Sequence, residues 1–105
     1  MAGHAALKAV SDKMVSAISI DPPSVAQTLF AKGLITRNNI ESLQNQAKTD
    51  QEKARELVKI VLKLVDTFSE NYEVFLEVID EHPWLENLAK LIHKTYDEQV
   101  SFSYS

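Results

Sequence analysis

The segment TDQEKARELVKIVLKLV, residues 49–65, decides the fold of this chain. It opens with Thr49 and Glu52, a capping-box pair in which each side chain accepts a hydrogen bond from the other residue's backbone N–H. At about 100° per residue, its apolar residues cover an arc of roughly 160° on a helix. These residues are Ala54, Leu57, Val58, Val61, Leu62, Leu64 and Val65. Because so wide an arc needs neighbours on several sides, we expect this helix to be the centre of a helical bundle.

Helix-start and helix-stop signals divide the chain into six short amphipathic segments, none with the alternation of a β-strand. Asp21 is a suitable N-cap before Pro22, which tolerates the first helical position. Gly33 suits a left-handed residue after a helix, and Thr36 suits the cap of the next one. The sixth helix is predicted to begin at Pro83. The sequence therefore predicts an all-α fold, a six-helix antiparallel bundle in which this central helix is the fourth.

The other helices show narrower apolar faces, and residues 1–100 are predicted to form one domain. The residues expected to point inward are Leu7, Val10, Met14, Ala17 and Ile18 in the first helix, Val25, Ala26, Leu29 and Phe30 in the second, Ile40, Leu43 and Ala47 in the third, Tyr72, Phe75, Leu76 and Ile79 in the fifth, and Trp84, Leu85, Leu88, Leu91 and Ile92 in the sixth. Residues 101–105 have no period. They are predicted to be a tail or the start of a linker to a downstream region.

Composition narrows the functional classes. Apolar residues make up 45% of the chain, charged residues 25%, and there is no cysteine. A net charge of −4 argues against a dedicated nucleic-acid binder, which must neutralise phosphates. No apolar run is long enough to cross a bilayer, and the N-terminus does not resemble a secretory signal. No motif for catalysis, cofactor binding or metal ligation is evident. We therefore expect a cytoplasmic protein that is not an enzyme and needs no cofactor.

Surface charge is unevenly distributed. From Asp66 to Glu86 the chain has seven acidic residues and neither lysine nor arginine. In the fifth helix Glu73, Glu77 and Asp80 fall on the side opposite the apolar face, where like charges four residues apart repel. This acidic stripe is either a solvated face or a surface for a basic partner.

The fourth helix has the opposite sign on its polar side. Arg55, Lys59 and Lys63 follow one another at four-residue spacing, although Glu52 and Glu56 are placed to pair with the first two. If no such pairing occurs, these cations form an intermolecular patch. A basic face and a separate acidic face on one chain favour head-to-tail assembly into rings or filaments.

Three stretches resemble a known family. They are VAQTLFAKGLIT at residues 25–36, TDQEKARELV at 49–58, and YEVFL at 72–76 with PWL at 83–85. Their order and spacing resemble the caspase recruitment domain (CARD) of the death-fold superfamily over about residues 5–98. The resemblance implies a Greek-key helical bundle. It also implies homotypic CARD–CARD association as a signalling adaptor, in apoptotic or innate-immune assemblies.

The family's best-known contact sets a basic surface on helices one and four against an acidic surface on helices two and three. The basic half is implied to lie on Lys13, Arg55, Lys59 and Lys63. The implied acidic half is only Asp21 and Glu41, since no other residue between 20 and 47 is acidic. By charge density, Glu73, Glu77 and Asp80 are the alternative.

Two other functions remain open from the sequence. A helical bundle can bind an amphipathic peptide in an apolar groove. Residues 25–46 can also be drawn as a helix-turn-helix with Arg37, Asn38 and Asn39 opening a DNA-recognition helix. The expected partner is nonetheless another CARD or a second copy of this chain, with neither nucleic acid nor membrane.

Overall fold

The structure is a computed structural model that describes residues 2–45 and 47–104. Every regular element within these residues is a helix. In chain order they are α1 (Ala2–Ala9), α2 (Ser11–Ile18), α3 (Pro22–Ala31), α4 (Arg37–Leu43), α5 (Asp50–Thr67), α6 (Asn71–Asp80), a 3₁₀ turn (Pro83–Leu85) and α7 (Glu86–Tyr104). The predicted all-α class is confirmed. Because α1 and α2 together occupy the first predicted helix, the order of the six predicted helices is also retained.

The first predicted helix is broken at Val10. The backbone there has φ −107° and ψ 15°, and its N–H is shared between the carbonyls of Ala6 and Leu7. The side chain of Val10 nevertheless stays buried, as do those of Leu7 and Met14. The apolar stripe therefore continues across the break, which explains why periodicity alone predicted one helix.

The turn between α3 and α4 follows from local sequence. Gly33 has φ 78°, a left-handed conformation that glycine adopts without strain. The N–H of Gly33 donates to the carbonyl of Phe30 and that of Leu34 to the carbonyl of Leu29, the two bonds of a Schellman motif. At the start of α4, Thr36 and Asn39 form a reciprocal capping box. The predicted ends at Gly33 and Thr36 are confirmed.

Two predicted caps differ in detail. Thr49 accepts from the N–H of Glu52, but its hydroxyl also donates to the Glu52 carboxylate, so the return bond to the backbone is not made. Asp21 makes no side-chain cap to α3. Pro22 and Pro23 have no N–H to offer, and the Asp21 carboxylate accepts from the Ser24 hydroxyl instead, at 2.7 Å.

The core is organised around α5, which packs against α1, α2, α3, α4 and α6. Leu57 is 0% exposed and Val61 is 1% exposed, and the core also contains Ala54, Val58 and Val65. Leu62 and Leu64, at the edges of the arc, are only partly buried. The central position predicted for this helix is confirmed.

Three residues predicted to point inward do not. Phe30 is 41% exposed, and Trp84 is 38% exposed although its ring lies against His82. Ala47 lies beyond the end of α4 in an exposed turn. The third predicted helix is therefore shorter than its apolar residues suggested.

The end of the chain also differs from the prediction. The last helix continues through residues 101–104, which had been expected to be an irregular tail. The last turn of a helix with a long polar surface does not need a repeating pattern of apolar residues. The absence of such a pattern after residue 100 therefore did not mark the end of the helix. Ser105 lies outside the described residues.

Truncation of Leu57 to Ala should lower the free energy of unfolding by about 2–5 kcal/mol, since a fully buried leucine leaves a cavity. The edge residue Leu64 provides the matched control, and Leu64→Ala should cost clearly less. Denaturant unfolding followed by circular dichroism measures both variants. Equal losses at the two positions would contradict the central placement of α5.

Candidate protein-interaction surfaces

The first candidate surface is a basic face on α5. Arg55, Lys59 and Lys63 are all exposed and succeed one another one helical turn apart. Within the described residues none of the three has a carboxylate within 4.0 Å. The intrahelical pairing with Glu52 and Glu56 that the sequence allowed is therefore not formed.

The carboxylate of Glu56 binds a different lysine. The Lys48 ammonium donates to Glu56 Oε2 at 2.7 Å and to the Ser42 hydroxyl, which itself donates to Glu56 Oε1 at 2.9 Å. The Lys48 hydrogen bond holds the pKa of Glu56 below its ordinary value, with burial opposing it and Ser42 assisting it. This network anchors the segment after α4 to α5, and it leaves Lys59 without a short-range partner.

A groove of about 450 Å³ runs between α2 and α5 beside this face. Val15, Val58 and Leu62 provide apolar lining, while Arg55 and Lys59 provide positive charge and Asp12 a negative one. The remaining lining residues are Ser11, Ser16 and Gln51. The groove thus combines apolar surface with two of the predicted interface cations.

The other two predicted basic residues lie apart from the groove. Lys63 follows Lys59 by one turn and extends the basic face beyond it. Lys13 is exposed on α2, but it is not among the residues that line the groove. The structure therefore brings Arg55, Lys59 and Lys63 together, and Lys13 does not line their groove.

The acidic residues implied by family resemblance are weakly placed. The Asp21 carboxylate already accepts the Ser24 hydroxyl. Glu41 is exposed on α4, where Arg37 precedes it by one turn on the same side. The surface of α3 and α4 therefore has little net negative charge.

The acidic stripe on α6 is more strongly charged, and one lysine from another helix reaches it. Glu73, Glu77 and Asp80 are exposed, as are Glu70 and Glu81 beside them. Lys32, at the end of α3, places its ammonium 3.8 Å from Glu77 and 3.9 Å from Glu81. Sequence reasoning missed this cation because it comes from a helix distant in sequence. It leaves Glu70, Glu73 and Asp80 without a cation within 4.0 Å in the described part of the chain.

Beside Glu70 and Glu73, a cavity of about 490 Å³ opens between α1, the end of α5, α6 and α7. Its walls include Tyr72 and Tyr96, whose rings stack with centroids 5.0 Å apart and planes 20° from parallel. Gly3 closes the α1 side, where a Cβ would lie 2.9 Å from the Tyr72 ring. The rest of the lining is His4, Val65 and Ser69. No sequence motif indicated this site, since its walls come from four separate helices and the loop before α6.

The hydroxyl of Tyr72 is fully buried and has no hydrogen-bond partner among the described residues. Burial raises the pKa of Tyr72 to about 12, with Tyr96 and Asp97 contributing in the same direction. A buried polar group without a partner is costly to the folded state, and such groups are uncommon in native proteins. Tyr72 is therefore a local source of instability at the wall of the cavity.

At the opposite end of α6, His82 connects the helix to α3. The hydroxyl of Thr28 donates to the carbonyl of Ser24, and it also forms a hydrogen bond with His82 Nε2 at 3.1 Å. The imidazole also lies against Trp84, with ring centroids 5.7 Å apart. These contacts assign His82 a structural role at the α6–α7 junction.

The described residues contain no group of three or more histidine, cysteine or acidic side chains arranged to hold a metal ion. Across the same residues, no helix is both long and apolar enough to span a membrane.

The described geometry is thus a helical bundle with charged grooves on its surface, and the family comparison agrees with it. The model of the caspase recruitment domain family matches residues 4–95. Because this match covers most of the chain, the protein belongs to the caspase recruitment domain family. Its members are non-enzymatic interaction modules that associate homotypically. Comparisons with curated proteins and with solved structures gave no match.

Replacing Glu56 by Gln should destabilise the domain at neutral pH by up to about 1 kcal/mol, because an ion pair whose side chains are 29% and 32% exposed is partly screened by solvent. The folded-state pKa of Glu56 is lowered, so its contribution is present above pH 4.5 and is lost as pH falls through that lowered pKa. The stability difference from wild type should therefore shrink in acid. Glu41→Gln, at an exposed site, is the control, and chemical unfolding across pH measures both. A difference that grows in acid would contradict the network.

Replacing Tyr72 by Phe should raise the free energy of unfolding by about 1–3 kcal/mol, since the variant no longer desolvates an unpaired hydroxyl. Because the folded-state pKa is raised, the unfolded chain releases this proton first as pH rises past 10.0, and wild-type stability falls between there and about 12. The variant should lose this part of the alkaline dependence. Tyr96→Phe keeps the ring stack and should leave stability unchanged. A destabilised Tyr72→Phe would show that the hydroxyl has a partner.

Proposed function

We propose that this CARD is an adaptor module of a cytoplasmic signalling assembly, of the apoptotic or innate-immune type. In this proposal it binds another CARD or a second copy of itself, with neither nucleic acid nor membrane involved. The observation that carries the proposal is the exposed basic face of Arg55, Lys59 and Lys63, which has no ion pair in the described structure. The family match supports the homotypic character of the partner.

The geometry of the charges favours an open assembly. The basic face lies on α5, whereas the acidic stripe lies on α6, so the two surfaces use different residues. A contact between unlike surfaces is heterologous, and its repetition produces rings or helical filaments instead of closed dimers. Opposite charges on the two surfaces would increase the rate at which two copies meet, and would favour one relative orientation of the copies.

The alternative of an amphipathic peptide partner has one observation in its favour. The groove between α2 and α5 has apolar lining from Val15, Val58 and Leu62 at its centre. The DNA-binding alternative is less well supported, because Asn39 uses its side chain to cap α4 and is not free to contact bases. Net charge −4 also opposes approach to phosphates.

Reversal of Lys59 to Glu should abolish self-association without unfolding, since this side chain is exposed on the polar side of α5. Sedimentation velocity against concentration measures assembly, and circular dichroism checks the fold. Lys94→Glu, which makes the same charge change at an exposed site on α7, is the matched control. Wild-type association should weaken as salt rises from about 0.05 to 0.5 M. Dissolved ions screen the attraction between exposed charges beyond a distance of about 10 Å at 0.1 M salt, and this distance shortens as salt is added.

If Lys59→Glu assembles like the wild type at low salt, the basic face is only solvated surface. If Lys94→Glu is as defective as Lys59→Glu, the defect reflects total charge and the assignment to α5 is wrong. Loss at Lys59 alone supports the proposal.

A further inference from the structure

We propose that the cavity between α1, α6 and α7 is a socket for a lysine or arginine side chain from the α5 basic face of a second copy of this chain. The socket is defined by Glu70, Glu73, Tyr72 and Tyr96. The inference rests on the proposed homotypic function and names the surface that receives the basic face.

The chemistry of the socket selects a cation. Glu70 and Glu73 are exposed beside it and have no cation within 4.0 Å in the described residues, because Lys32 lies against Glu77 and Glu81 instead. The two stacked tyrosine rings add aromatic surface, over which ammonium and guanidinium groups bind favourably. An anionic side chain would be repelled from the same walls.

The socket also has room and an unmet polar group. Its volume of about 490 Å³ lies within the range of about 300–1,000 Å³ found for ligand pockets, so a single long side chain can enter. Tyr72 is only 7% exposed, and its hydroxyl has no partner.

The occupant follows from charge complementarity within the chain. Among the described residues, Arg55, Lys59 and Lys63 are exposed cations without an ion pair. The α3–α4 surface has one carboxylate bonded to Ser24 and another beside Arg37. The acidic stripe has five carboxylates, of which Glu70 and Glu73 line the socket, and in the described residues Lys32 is the one cation paired with the stripe. A second copy therefore supplies the cation with which the unpaired carboxylates can pair.

The experiment mixes two assembly-defective variants of the whole chain and measures co-sedimentation. Lys59→Glu and Glu73→Lys should each weaken self-association by about tenfold or more, and together they should associate again because the exchanged charges match. Glu77→Lys is the matched control, with the same charge change on the same helix but outside the socket. Mixed with Lys59→Glu, it should restore much less association.

A second pair of variants tests the aromatic wall. Tyr96→Leu removes a ring but no charge, and it should weaken association about two- to fivefold, the size of an exposed cation–π contact. Tyr96→Phe keeps the ring and should associate like the wild type. Circular dichroism and melting temperature confirm that both variants are folded. Equal association of Tyr96→Leu and wild type would overturn the aromatic part of the socket and reduce the contact to general charge attraction.

The outcomes separate this inference from the proposed function. If Lys59→Glu loses association and is restored by Glu77→Lys or by Glu41→Lys but not by Glu73→Lys, the socket is wrong and homotypic binding stands. If Lys59→Glu associates normally, the basic face itself is wrong. Restoration by Glu73→Lys together with loss in Tyr96→Leu supports the socket.

Discussion

The burial of α5 among five other helices is the constraint on which the rest of the structure depends. Its buried residues recur at three- and four-residue steps, so every position between them has a fixed direction. Leu57 and Val61 point into the core, and the same helical period turns Arg55, Lys59 and Lys63 outward together. The core packing therefore determines the direction in which the basic face points, as well as the fold.

Tertiary ion pairs then decide which surface charges remain free. Lys48 binds Glu56, so Lys59 interacts with that carboxylate only through longer-range charge and not through a short ion pair. Lys32 lies near Glu77 and Glu81, which offsets part of the negative charge at one end of the acidic stripe, and in the described structure Glu70 and Glu73 beside the cavity have no ion pair. Neither pair contributes much stability at such exposure. Their larger effect is to concentrate unlike charge at two separate places on the molecule.

The sequence predicted the features that depend on neighbours a few residues apart. The turn at Gly33, the caps at Thr36 and Thr49 and the central helix were all found, because their physical causes lie within one helical turn. The exposure of Phe30 and Trp84 could not be found in this way. An apolar arc shows which side of a helix is buried, but the packing of other elements decides how far the burial extends.

The candidate sites show the same difference between features within one helix and features that depend on the packing of several helices. The basic face was predictable because its three cations share one helix, and so was the acidic stripe of Glu73, Glu77 and Asp80. The effect of Lys32 and the cavity at Tyr72 were not, since each joins helices far apart in sequence. Their placement was decided by the packing of α3, α5 and α7 against α6, and by the approach of Gly3 to Tyr72.

The cavity at Tyr72 shows what the fold gives up at this surface. A core designed only for stability would place phenylalanine there, since the ring packs equally well without an unpaired hydroxyl. The tight approach of Gly3 to the ring indicates that α1 is closely packed against this wall, so the cavity is not a consequence of loose packing. The domain thus combines a dense centre on α5 with a less favourable polar wall on α6. A buried hydroxyl of this kind is uncommon in native proteins, and it persists here only because the surrounding helices hold the ring in place.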